Sequence, residues 1–209
     1  MNTARAELRK LLTLPSLRWT ALLTWAGTAL LAYAYGVTQP RGDATALAPL
    51  GYAQAGFLVL GVLAAAAEHQ AGGQIRTTLI AMPRRLLLQA AKDLTLAAVT
   101  LPVAAVTAAI STLPAGGGTW TPAATAYLTL TTLLAAAVTG VVRHALPALV
   151  LLLSLYFIAG PLLRARFGAF SAYLPDTAAL DQSRGAAATI TWTVTALALA
   201  ALTFNRRDA

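Results

Sequence analysis

The residues best equipped for chemistry are concentrated in one stretch, EHQAGGQIRTTLIAMPRR (68–85). Glu68 and His69 are neighbours there, and Arg76, Arg84 and Arg85 follow. A carboxylate with an imidazole is a pairing used for general acid–base work or for metal ligation. Adjacent positions on a helix do not face one another, so sequence proximity does not make Glu68 and His69 a working pair. The second histidine, His144, follows Arg143 far down the chain. The sequence has no cysteine, no HExxH, no GxSxG elbow, no paired-carboxylate motif and no GxxxxGK[ST] phosphate loop. The expectation is a protein that is not an enzyme, with no catalytic, cofactor or metal residues on this chain.

The elements around the polar stretch explain its setting. Of the 209 residues, 58% are hydrophobic and only 11% charged, against roughly a quarter charged in an ordinary soluble domain. Six runs approach the ~20 apolar residues that a bilayer requires: about 19–37, 50–67, 93–112, 122–141, 145–163 and 186–204. They lack the alternation of barrel strands, and only helices or closed barrels satisfy the backbone in lipid. The predicted class is therefore all-α: a polytopic membrane protein with six transmembrane helices in a single transmembrane domain, 1–209. The first run is longer than the ~7–15 residues of a cleavable leader core, so it is read as a span.

The formal charge of +8 does not point to nucleic acid, because the cations sit at the ends of apolar runs. Arg5, Arg9, Lys10, Arg18, Arg76, Arg84, Arg85, Lys92, Arg143, Arg206 and Arg207 fall on one side of the six-span arrangement. Arg41, Arg164, Arg166 and Arg184 fall on the other. The positive-inside rule places the richer side, and both termini, in the cytoplasm. Arg84, Arg85, Lys92, Arg143, Arg206 and Arg207 read as topology anchors.

Ahead of the first span, ARAELRKLLTLP (4–15) sets Leu8, Leu11 and Leu12 against Arg5, Arg9 and Lys10. That pattern predicts an amphipathic helix in the interface, ended by Pro15. Between the last two spans, 164–185 lies on the opposite side, with Phe167, Phe170 and Tyr173 suited to the interfacial zone; it reads either as two short helices at or dipping into the outer leaflet, broken near Pro175, or as a plain outer loop. Pro102 and Pro161 are candidate kinks. No span interior contains an acidic residue, which argues against an ion-coupled carrier with its own mid-membrane carboxylate.

Within 68–92, Gly72 and Gly73 permit a sharp turn, and Ile75, Leu79 and Met82 then form one apolar stripe. The segment reads either as a connecting loop whose cations fix topology, or as a short amphipathic helix that docks another protein. Its run E-x3-G-x2-I-R-T-T-L-x-A-x-P-R-R-x6-K resembles the cytoplasmic loop of type-2 ABC exporter permeases of actinobacterial kind. The basic N-terminal arm, the Arg143–His144 link, the YLP element (173–175) and the RRDA end (206–209) extend that resemblance over nearly the whole chain. The resemblance implies the membrane subunit of an exporter for a hydrophobic or amphipathic substrate in the cytoplasmic membrane of a bacterium. It also implies two partners: cytoplasmic ABC ATPase subunits that carry ATP and Mg²⁺, and a second permease copy or related permease. Residues 1–18 would be the connecting helix. Gly72, Gly73, Ile75, Arg76, Thr77, Thr78 and Leu79 would form the ATPase-coupling contact, with Glu68 a gate-adjacent polar position. The alternatives are an ATPase-independent secondary carrier, or a membrane scaffold or immunity protein.

Overall fold

The computed structural model describes residues 2–40, 42–67, 85–113, 121–168, 173–176 and 183–207. Glu68, Gly72, Gly73, Ile75, Arg76, Thr77, Thr78, Leu79 and Arg84 lie outside the described residues. Among the described residues seven helices follow in order: α1 (Asn2–Thr13), α2 (Pro15–Thr38), α3 (Asp43–Ala66), α4 (Arg85–Thr112), α5 (Thr121–Val142), α6 (Ala145–Arg166) and α7 (Ser183–Arg207). No strand occurs among the described residues. Helices α2 to α7 are each long and apolar enough to cross a membrane, so the chain is an all-α polytopic membrane protein. An even number of crossings returns both ends of the chain to one side, here called the terminal side. The opposite side is the distal side.

Helix α1 ends where local sterics require it to end. Leu14 is extended (φ −66°, ψ 115°) and Pro15 opens α2. Proline disfavours a helical residue before it, and its missing N–H costs nothing at a helix start. The Arg18 Nε reaches back to donate to the Leu12 carbonyl at 2.7 Å, which satisfies a group that the end of α1 leaves open. The amphipathic stripe of α1 is divided between two neighbours. Leu11 is buried in a cluster with Leu17 and Leu96, while Leu12 is half exposed. Helix α1 thus packs against α4, and only part of its apolar side is left for lipid.

The core is the pair α3 and α5. In each, 56% of the apolar window is buried, against 17% in α2 and α7. Helix α5 touches α3, α4, α6 and α7, and α3 touches α2, α4 and α6 as well. Lipid is as apolar as leucine, so close packing of small residues must hold such helices together. Gly61 of α3 lies against the Thr132 carbonyl and the Ala135 methyl of α5, and Gly56 lies against the Thr24 side chain of α2. Buried threonines solve their polarity locally. Thr24, Thr28, Thr100, Thr107, Thr131, Thr132, Thr139 and Thr193 each donate to the carbonyl four residues back. A hydroxyl so bonded needs no partner on another helix.

The two candidate kinks behave differently. Helix α4 continues through Pro102, whereas α6 contains a π turn over Leu155–Ala159 just before Pro161. Proline has no N–H for the carbonyl four residues back and its ring crowds that carbonyl. The helix widens ahead of it, and the Gly160 N–H bonds the Leu155 carbonyl five residues away. The turn from α5 to α6 is made by Arg143, whose φ of 63° is left-handed. Its N–H bonds the Thr139 carbonyl at 2.6 Å.

Candidate functional site

The polar groups that converge inside the bundle lie toward its distal side. Tyr127 of α5 donates its hydroxyl to the Gln54 amide oxygen of α3 at 2.6 Å, and both residues are buried. One turn deeper, the Thr131 hydroxyl bonds the Tyr127 carbonyl at 2.9 Å. Tyr156, in the π turn of α6, is buried beside Thr131, and its hydroxyl makes no hydrogen bond of good geometry among the described residues. Counted from the distal ends of α5 and α6 at ~1.5 Å per residue, the two tyrosines lie about 9 and 15 Å inside. That is the distal half of a hydrocarbon core roughly 30 Å thick.

The cluster is covered by Tyr173–Asp176, a short segment of the distal loop in which Tyr173 is in a 3-10 turn and 174–176 form a bend. Trp192 of α7 donates its indole N–H to the Tyr173 carbonyl at 2.9 Å. Pro175 and Asp176 are buried. The Asp176 Oδ2 lies 3.2 Å from the Arg164 Nη2 of α6, with the carboxylate side chain 3% exposed and the arginine 28%. The carboxylate has this place because residue 160 is glycine. A Cβ there would stand 2.9 Å from the Asp176 Oδ2 and 3.1 Å from the Leu155 carbonyl. Asp176 and Arg164 are also close enough to Tyr127 to act on its hydroxyl electrostatically, as Asp176 is to Tyr156.

Chemically, the site offers hydrogen bonds, one carboxylate and one guanidinium. Among the described residues no three His, Cys, Asp or Glu are grouped to hold a metal ion. The acidic group is the main departure from expectation. The observed α4 span, Leu87–Thr112, takes in Asp93 near its terminal end, where Gln89 donates to it, and the loop brings a second carboxylate, Asp176, in from the distal side.

The predicted anchors are placed toward the terminal side. Arg85 opens α4 and Lys92 lies two turns further on, partly exposed. Arg143 makes the α5–α6 turn, and Arg206 and Arg207 close α7. None of these belongs to the buried polar cluster. The sequence reading did not single out Gln54, Tyr127, Tyr156, Gly160 or Asp176. Gln54 alone carried a signal, as the one side-chain amide in the apolar run 50–67. Comparison with protein-family models, with curated proteins and with solved structures gives no match.

Proposed function

We propose that this chain is the membrane subunit of an ABC exporter, driven by separate ATPase subunits that bind ATP and Mg²⁺. The observation that supports this reading is the placement of α4. It follows directly on the 68–84 segment and packs against α1, α2, α3, α5 and α7. A push delivered to the terminal end of α4 would therefore reach nearly every other span and the N-terminal arm at once. The family resemblance adds the source of the push, an ATPase cleft receiving Gly72, Gly73, Ile75, Arg76, Thr77, Thr78 and Leu79, with Glu68 at the gate. A second permease copy completes the pathway, and the resemblance sets the direction outward across a bacterial cytoplasmic membrane. Unpartnered apolar side chains on α2, α6 and α7, among them Leu30, Leu146 and Val194, leave room for that copy and for lipid, and they favour a hydrophobic or amphipathic cargo.

Co-expression with an ABC ATPase subunit encoded beside this chain is the test, and the proposal requires that such a subunit exist. Copurification of the two, with ATP turnover stimulated in vesicles, is expected. Ile75→Ala, Thr78→Ala or Leu79→Ala should cut that stimulation while the subunits stay folded. Failure to associate with any ATPase, or full stimulation in all three variants, would remove the proposal. The buried Asp176 favours one rival, an ATPase-independent carrier. Transport that survives ATP depletion and stops when the proton gradient is collapsed would establish that rival instead.

A further inference from the structure

Asp176 is set against Arg164 and Gly160 in the manner of a bound ligand. The carboxylate does not come from a helix of the bundle. It is carried in by the short 173–176 loop segment, with Trp192 holding the Tyr173 end of that segment and Arg164 the Asp176 end. Its seat includes the α6 backbone bared by Gly160, beside the π turn, and the Arg164 guanidinium. We propose that this seat is a carboxylate-binding site of the chain, filled internally by Asp176, and that it accepts the carboxylate of an amphipathic molecule when the 173–176 segment withdraws.

Three physical points support this assignment, none of which depends on the ATPase reading. First, withdrawal of Asp176 alone would leave Arg164 uncompensated at the end of a membrane span. Removing one member of a largely buried ion pair is strongly unfavourable, so the withdrawn state needs a replacement anion. Release of the segment and binding of an external carboxylate are therefore linked. Second, Arg164 keeps 28% of its side chain exposed, which gives an incoming anion a side from which to approach. Third, the tethered Asp176 competes at an effective concentration on the order of mM. A rival ligand must gain from more than its charge. The surface of α6 next to the site supplies that gain, because Phe157, Ile158 and Leu162 are all exposed apolar side chains. A carboxylate on an apolar body meets both requirements.

Chemical rescue tests the assignment in the purified full-length chain. Asp176→Ala should lower the thermal midpoint, and formate, which replaces the missing carboxylate, should raise it again. The recovery should follow ln(1 + [formate]/Kd), rising linearly at low formate and logarithmically above Kd. Chloride at equal ionic strength should give no such recovery, and neither should formate added to the Arg164→Gln, Asp176→Ala double variant. Recovery that chloride reproduces, or that persists without Arg164, overturns the site. Should Asp176→Ala prove too unstable to melt cleanly, labelling of Arg164 by phenylglyoxal in lipid nanodiscs, read by peptide mass spectrometry, provides the second measurement. Formate should slow labelling of the Asp176→Ala chain. Hexanoate should do so at a concentration at least about fourfold lower, the gain from burying roughly one methylene. Equal concentrations for the two acids overturn the amphipathic assignment, and unprotected labelling overturns the site.

Discussion

The α3–α5 seam makes the sharpest prediction, because three glycines of the chain meet very different surroundings. An added Cβ at Gly61 would run into the Thr132 carbonyl and stand 2.8 Å from the Ala135 Cβ and 3.1 Å from the Ala136 nitrogen. Two of those three atoms are backbone and cannot turn aside. Relief requires α3 and α5 to part by roughly 0.5–1 Å, which forfeits a quarter to a half of the dispersion energy of contacts across the seam. Overpacking of this kind costs about 1–3 kcal/mol. At ~2–4 °C per kcal/mol for a chain of this size, Gly61→Ala should lower the thermal midpoint by about 2–12 °C. An added Cβ at Gly56 would meet only Thr24 side-chain atoms, so Gly56→Ala should be costly alone. Thr24→Ala, which deletes the Oγ1 and Cγ2 in the way, should recover most of that loss. At Gly27 nothing lies within 4 Å, and alanine there should be neutral or stabilising by up to about 1 kcal/mol. Thermal unfolding of the four variants in one detergent, followed by circular dichroism, gives the comparison. A Gly61→Ala protein as stable as Gly27→Ala, or a Gly56→Ala loss that Thr24→Ala leaves untouched, would refute this account of the packing.

Four shorter predictions follow from other contacts. Tyr127→Phe strands the buried Gln54 amide oxygen and should cost about 1–3 kcal/mol, while Gln54→Leu in the same chain should return part of it, as a double-mutant cycle by denaturation would record. Gly160→Ala pushes a methyl into the Asp176 carboxylate and should loosen the covering segment. Because the chain has no cysteine, a single Tyr173→Cys reporter should then react faster with an impermeant thiol reagent than it does with Gly160 intact. Trp192→Phe removes the donor to the Tyr173 carbonyl and should speed the same reaction, with little change in global stability. Cysteines placed singly at His144 and at Tyr173 should be labelled from opposite faces of sealed vesicles, and labelling of both from one face would contradict the six-span arrangement.

The sequence made some of this legible and hid the rest for definite reasons. Each span announces itself because lipid demands a continuous apolar run, and composition along the chain records that demand directly. The observed ends differ from the expected ones mainly where polar residues continue a helix past the apolar part, as in Arg85–Lys92 of α4 and Asn205–Arg207 of α7. Pro15 and Pro161 were both readable as interruptions, but only contacts decide that one starts a new helix and the other widens an existing one. The polar cluster was not readable. Tyr127 and Gln54 are 73 residues apart, and nothing in either neighbourhood names the other. Asp176 follows a proline in a loop rich in small and polar residues, where a solvated aspartate is the ordinary occupant. Its burial depends on the absence of a side chain at Gly160, sixteen positions earlier and on another element. The residues proposed for ATPase coupling rest on the resemblance alone, and they lie outside the described residues.

Arg143 has one more consequence. A left-handed residue without glycine's freedom costs about 1–2 kcal/mol, so glycine would suit the finished α5–α6 turn better. The arginine's charge matters at a different time. Retention of cations on one side is decided while a helical hairpin enters the bilayer, before its two helices have closed on each other. The strain at φ 63° arises only after that decision has been made. On the topology-anchor reading, a single position would serve two stages: the charge would direct the nascent chain, and the mature protein would keep the less favourable backbone. Replacing Arg143 by glycine should therefore yield molecules that melt later once correctly inserted, from a population in which more of them were inserted the wrong way round.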